Sequence, residues 1–287
     1  MVRAETSSES ADDLARRLGA VLAGVPGIAA VVVGGSMARG EGRPDSDLDL
    51  GIYYHPGRPP SIAALREVAA RLDDRHSGAA VTELGAWGPW INGGAWLRIG
   101  GRKVDWIFRD LSRVTASIAD SREGRIAVHY QPGHPFGFVS YTYLGEVANC
   151  VPLYDPAAEI ASLKALAVPY PPFLKRAIVD RFLWEADFTL ETARSPASRG
   201  DVSYVAGCLF RAAFCLAQVL FALNERYLIN EKGAVAAAGT LPIHVPGFTK
   251  LAEGILGRAG ETPQALHGSI ECLGEMVAAV RDLVSRV

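Results

Sequence analysis

Two apolar runs joined across a glycine turn constrain this chain more than any other feature. Ile28 to Val33 stops at Gly34-Gly35, and Leu48 to Tyr54 begins directly after Asp47. Each run has the length and content of a buried strand. Side chains two apart on a strand point to one face, so Asp47 and Asp49 aim together and Leu48 and Leu50 aim the other way. Gly34 and Gly35 let the backbone turn sharply and approach a ligand closely. Ser36 starts a short helical stretch, where its hydroxyl can cap the helix or meet a phosphate oxygen. Free N–H groups at such a start attract anions, and Arg39 adds a guanidinium that can fork onto a phosphate. Two converging carboxylates suit Mg²⁺, which takes one or two protein carboxylates and completes its shell with phosphate oxygens and water. Either half alone is compatible with a plain strand–turn–helix and an exposed Asp-rich turn. Together, in this order, they predict a metal–nucleotide site built on Gly35, Ser36, Arg39, Asp47 and Asp49.

The pattern Gly35-Ser36-x-Ala38-Arg39-Gly40, then Pro44-Asp45-Ser46-Asp47-x-Asp49-Leu50, resembles the nucleotidyltransferase superfamily related to DNA polymerase β. It is most similar to the small bacterial branch that includes the aminoglycoside and lincosamide nucleotidyltransferases. The resemblance is sharp over residues 28–54 and extends to about residue 110. It implies a small mixed sheet with helices on one face, two Mg²⁺ ions, an NTP substrate with ATP as the default, and transfer of a nucleoside monophosphate to a hydroxyl. It also implies a third carboxylate on a neighbouring strand. Asp105, the single acid within Lys103-Val104-Asp105-Trp106-Ile107-Phe108, is the candidate, since acids are depleted in strands and rarely buried without a partner. Asp47, Asp49 and Asp105 are then the metal ligands and catalytic acids, and Asp105 could also accept the hydroxyl's proton. Asp110, in a turn before a helix, is expected to be an N-cap.

The rest of the chain sets limits. With 287 residues it has room for one or two domains. Helix is expected at 11–22 and from 59–60 to about 75, and strand at 79–84, 94–99 and 102–108. This gives an α+β (α/β) nucleotidyltransferase domain over 1–150, with a small mixed sheet and flanking helices. From Pro156 the pattern turns helical, over 175–194, 204–227 and 261–287, with Pro196 to Gly200 as a break. A helical bundle over 151–287 follows, and in the similar antibiotic enzymes such a domain closes the cleft. By that resemblance Arg211 and Lys232 would contact the nucleotide phosphates. The residues alone equally allow Arg211 as a snorkelling rim side chain and Lys232 as a charge at a helix end. The loops 85–94, with Trp87 and Trp90, and 130–138, flanked by His129 and His134, could hold an acceptor or simply pack.

A net charge of −2 without a basic tail gives no support to a nucleic-acid partner. Four cysteines, with no Cys-x-x-Cys pair and no zinc spacing, point to a reduced, cytoplasmic setting. The polar start, Met1 to Ala11, does not read as a signal peptide, and no apolar run is expected to reach the roughly 20 residues of a membrane helix. The expected partners are therefore a nucleotide and a small-molecule hydroxyl acceptor, an antibiotic among the candidates, with a homodimer allowed. The alternatives are transfer to a protein or an RNA end, or a non-enzymatic toxin–antitoxin partner.

Overall fold

A computed structural model describes residues 9–40 and 46–287. The expected motif positions 41–45, including Pro44 and Asp45, and residues 1–8 lie outside the described residues. The chain divides into two compact units. The first comprises residues 1–119, 129–133 and 143–169; the second comprises 120–128, 134–142 and 170–287.

The first unit is organised on a five-stranded mixed sheet. Its strands are β1 (Ile28–Val33), β2 (Leu48–Tyr54), β3 (Gly94–Ile99), β4 (Arg102–Asp110) and, after the two short strands of the next paragraph, β7 (Val151–Tyr154), in the order β3-β4-β2-β1-β7. Only β2 and β4 are parallel; the other neighbours are antiparallel. Leu48, Leu50 and Ile52 of β2 and Val104, Trp106 and Phe108 of β4 share one face and are fully buried. Helices α1 (Ala11–Ala23) and α3 (Ile62–Leu72) cover that face with Leu14, Leu18, Leu22, Leu65 and Val68. Strand alternation therefore sends Asp49 and Asp105 to the other face. There α5 (Thr142–Asn149) supplies Glu146, which takes two hydrogen bonds from the buried Arg109 guanidinium, at 2.9 and 2.7 Å.

Between these elements run α2 (Gly35–Ala38), α4 (Leu111–Arg122), the two-residue strands β5 (Val128–His129) and β6 (Phe138–Val139), and α6 (Glu159–Ala167). Asp110 caps α4 as expected, accepting from the Ser112 N–H at 2.9 Å. The second unit is built on α7 (Pro172–Ser198), α8 (Val202–Leu223), α9 (Ala234–Ala238), α10 (Phe248–Gly257) and α11 (Pro263–Arg286), with α7, α8 and α11 packed on one another.

Several expectations are corrected. Residues 79–84 form no strand. Gly78–Ala80 closes a 3₁₀ turn, and Thr82 bonds Gly94 through its N–H and its hydroxyl, so the segment docks on β3 without a ladder. The sheet does not end near residue 150, because β7 pairs with β1; the first unit runs to Pro169 rather than stopping at 150, and the second begins in earlier loops. Pro196 lies inside the last turn of α7 instead of breaking the helix before it. Helix α8 is long and apolar enough, by length and composition, to cross a membrane, contrary to the expectation that no run would be. Most of it is buried within the second unit, including Leu209, Ala213, Leu216 and Leu220.

Candidate functional site

The site follows from how β1 hands over to β2. After Val33 the ladder continues one step, with the Gly34 N–H donating to the Asp49 carbonyl at 2.9 Å. Gly35 then adopts φ +62°, in the left-handed region that side chains avoid. A Cβ on Gly35 would lie 1.8 Å from Asp49 Oδ2. The bare Gly35 backbone is therefore pressed against the Asp49 carboxylate, and no other residue type fits without moving it. Ser36, half-buried, is the second residue of α2. The N-cap is Gly34 and no side chain caps this helix, so Ser36 does not take the capping role it was expected to share. Arg39 is exposed at the C-terminal end of the same short helix.

Parallel pairing supplies the second acid. In the β2–β4 register Asp49 stands directly beside Asp105. Both are half-buried, and both point away from the core because their neighbours on either side fill it. Asp47 precedes β2 and lies 3.7 Å from Lys103 Nζ. The adjoining Arg102 guanidinium donates to the Ser46 carbonyl at 3.2 Å. The structure thus brings Asp49 and Asp105 together and sets Asp47 against a lysine. Among the described residues no three histidine, cysteine or carboxylate side chains converge tightly enough to form a metal cage by themselves. The donor chemistry still fits Mg²⁺: all donors are carboxylate oxygens, and this ion needs only one or two of them beside phosphate oxygens and water. Lys103 and Arg102 escaped the sequence reading. The signal was present in the basic pair that opens β4, two residues from Asp105.

Arg211 and Lys232 belong to the second unit. Arg211 Nε donates to Glu185 at 2.6 Å, its Nη1 donates to the Phe136 carbonyl at 2.5 Å, and its guanidinium lies 4.0 Å from the Phe136 ring centre. These contacts tie α8 to α7 and to the 134–142 segment, a structural task that the sequence did not reveal. Lys232 is exposed, and its N–H donates to Asn230 Oδ1 at 2.9 Å. The aromatic loops pack. Trp87 stacks on Trp96 at 4.6 Å, Trp90 stacks on His129 at 3.9 Å, and His134 lies 3.4 Å from Glu231.

No curated protein matches the chain. A solved nucleotidyltransferase-like protein from Exiguobacterium sibiricum is similar at 11% identity and a TM-score of 0.45, over 93% of this chain and 74% of that one. Residues 16–127, which hold the glycine turn and all three aspartates, match the family profile of the nucleotidyltransferase domain.

Proposed function

We propose that this chain transfers a nucleoside monophosphate, AMP from ATP, to a hydroxyl of a small molecule, with an aminoglycoside- or lincosamide-like antibiotic as the leading acceptor class. Nucleotidyl transfer in general is supported by the domain match at residues 16–127. The observation that carries the reading is the Asp49–Asp105 register beside the half-buried, side-chain-free backbone of Gly35.

In the reaction the acceptor oxygen bonds to the α-phosphorus, the bond from that phosphorus to the β-phosphate bridge breaks, and pyrophosphate leaves. Asp47, Asp49 and Asp105 would hold the two Mg²⁺ ions, which when bound stabilise the entering and leaving oxygens of an in-line displacement. The turn at Gly35-Ser36 would bring backbone N–H groups and the Ser36 hydroxyl to the phosphates, and Arg39 would add charge. Asp105 would accept the hydroxyl proton. Most of the acceleration then comes from positioning and charge compensation by these side chains. Arg211 and Lys232 are weaker candidates for phosphate contact; Lys232→Ala with unchanged nucleotide affinity would remove it.

The test is incubation with each NTP labelled on its α-phosphate, Mg²⁺, and panels of aminoglycosides, lincosamides, protein and RNA. Label is expected on a small molecule, and Asp49→Asn or Asp105→Asn should lower the rate by about two orders of magnitude or more, since several kcal/mol of charge stabilisation depend on these groups. A folded Asp49→Asn chain with full activity would overturn the assignment. Label only on protein or RNA would move the acceptor class.

A further inference from the structure

The second unit carries an exposed aromatic stripe that the proposed chemistry does not use. Phe173, Trp184 and Phe188 on α7 are 65%, 62% and 53% exposed. Trp184 and Phe188 stack face to face, with centroids 5.1 Å apart and planes 13° from parallel. Single exposed apolar residues are ordinary, whereas a stacked pair of large ones with a third on the same helix face marks an interaction surface. At about 100° per residue, Phe173, Ala177, Asp180, Arg181, Trp184 and Phe188 fall within one arc roughly 100° wide.

The order of these residues identifies the partner. Read outward from the bond between Asp180 and Arg181, the stripe is its own complement. Asp180 answers Arg181, Ala177 answers Trp184, and Phe173 answers Phe188. A second copy of α7, laid antiparallel about a two-fold axis through that bond, would set acid against base, small against large, and ring against ring. This is the self-complementarity that an isologous interface requires. The surface shape agrees. An open groove of about 590 Å³ runs beside Ala177, bounded by Gly124, Ile126, Asp180, Arg181 and Trp184. The register places the second copy's Trp184 over Ala177, into that groove. Asp180 is largely exposed and 3.5 Å from Arg176. Arg181 donates to the Ile126 carbonyl at 3.0 Å and keeps part of its side chain in solvent. Arg181 also lies 3.7 Å from Glu185, so its guanidinium is held at the helix surface with its exposed part toward the facing copy.

We infer that α7 is the self-association surface of this protein, forming an antiparallel two-fold dimer centred between Asp180 and Arg181. The inference is independent of the proposed reaction.

Cross-linking tests it in the full chain with Cys272→Ser, since Cys150, Cys208 and Cys215 are buried and Cys272 is exposed. Phe173→Cys and Phe188→Cys chains, mixed and oxidised, should form a disulfide-linked dimer at least about ten times faster than either variant alone, because the register opposes 173 to 188. Sedimentation equilibrium should show a dimer for the parent chain and a dissociation constant raised about thirtyfold or more by Trp184→Glu, the loss of a central aromatic anchor. Asp180→Arg, at an exposed position, should act in the same direction by opposing like charges. A monomer at about 100 μM, faster linkage within one variant than between two, or an unchanged constant for Trp184→Glu would each overturn the inference.

Discussion

Replacing Gly35 by alanine tests the geometry of the candidate site more directly than removing an acid, because it leaves every charged group in place. The backbone at Gly35 has φ +62°. Forcing an L-residue into that region costs about 1–2 kcal/mol, which for a protein of this size lowers Tm by about 2–4 °C per kcal/mol. Gly40 supplies the control. Its φ is +71°, and among the described residues a Cβ there meets nothing within 4 Å. Gly40→Ala should therefore show the backbone cost alone. At Gly35 the new Cβ falls 1.8 Å from Asp49 Oδ2 and 2.8 Å from its Cγ. Restoring an ordinary contact of about 3.4 Å moves that oxygen by about 1.6 Å, and a misplacement of about 1 Å at a reacting centre can cost about 10²-fold. Urea denaturation should show a loss of about 1–2 kcal/mol for Gly40→Ala and at least that for Gly35→Ala, whose Cβ also has to displace the Asp49 carboxylate. Calorimetric titration of Mn²⁺ with a non-hydrolysable NTP should show Gly40→Ala near the parent and Gly35→Ala weaker by about tenfold or more, some 1.4 kcal/mol. Equal metal–nucleotide affinities for the two variants would refute the claim that Gly35 exists to seat the Asp49 carboxylate.

Further outcomes follow from the same structure. Arg109→Met should destabilise the chain by about 3 kcal/mol or more, because it leaves Glu146 without its bidentate partner, and Arg109→Met with Glu146→Gln should recover most of that loss; chemical denaturation of the single and double variants decides. Burial pushes the Cys150 thiol up to about 11 from its ordinary 9.0. The folded chain therefore keeps a proton that the unfolded chain loses between about pH 9 and 11, so stability falls as pH rises through that window, and Cys150→Ala should flatten the fall by about 2–3 kcal/mol in denaturation curves taken across it. In the native chain a thiol reagent should titrate one cysteine, Cys272, and all four after unfolding; rapid native reaction of a second thiol would contradict the burial of Cys150, Cys208 and Cys215.

Local patterns in the sequence were legible where one strand face alone decided the outcome. β1 and β2 announce themselves by apolar runs and glycine punctuation, and Asp105 stands out because it interrupts an otherwise apolar strand. Hidden features depended on partners distant in sequence. β7 is four residues long, contains Pro152 and sits at a sheet edge, the place where a strand tolerates proline. Nothing in its composition distinguishes it from a linker until β1 pairs with it. The 79–84 segment has strand-like residues but bonds the sheet at Gly94 and takes further hydrogen bonds from the Arg66 side chain. Arg211 reads by resemblance as a phosphate contact and from its helix alone as a rim side chain, and neither reading shows its bond to Glu185, 26 residues away.

The same reasoning explains why Asp49 and Asp105 meet at all. Alternation fixes the face of each strand but leaves their mutual register open, since a slip of two residues preserves every face. Within β2 and β4, the pairs Leu48 with Val104, Leu50 with Trp106 and Ile52 with Phe108 form a continuous buried layer. A two-residue slip would leave one large apolar side chain at each end of that layer without a cross-strand neighbour, and burying such a side chain is worth about 1.5–3 kcal/mol. The hydrophobic face therefore sets the register, and the register sets the two carboxylates side by side on the opposite face. On this argument, substitutions that thin the layer at its ends, Leu48→Ala or Phe108→Ala, should weaken Mn²⁺ binding as well as stability although neither side chain touches the site. Loss of stability with unchanged metal affinity would show that the acids are positioned by contacts of their own.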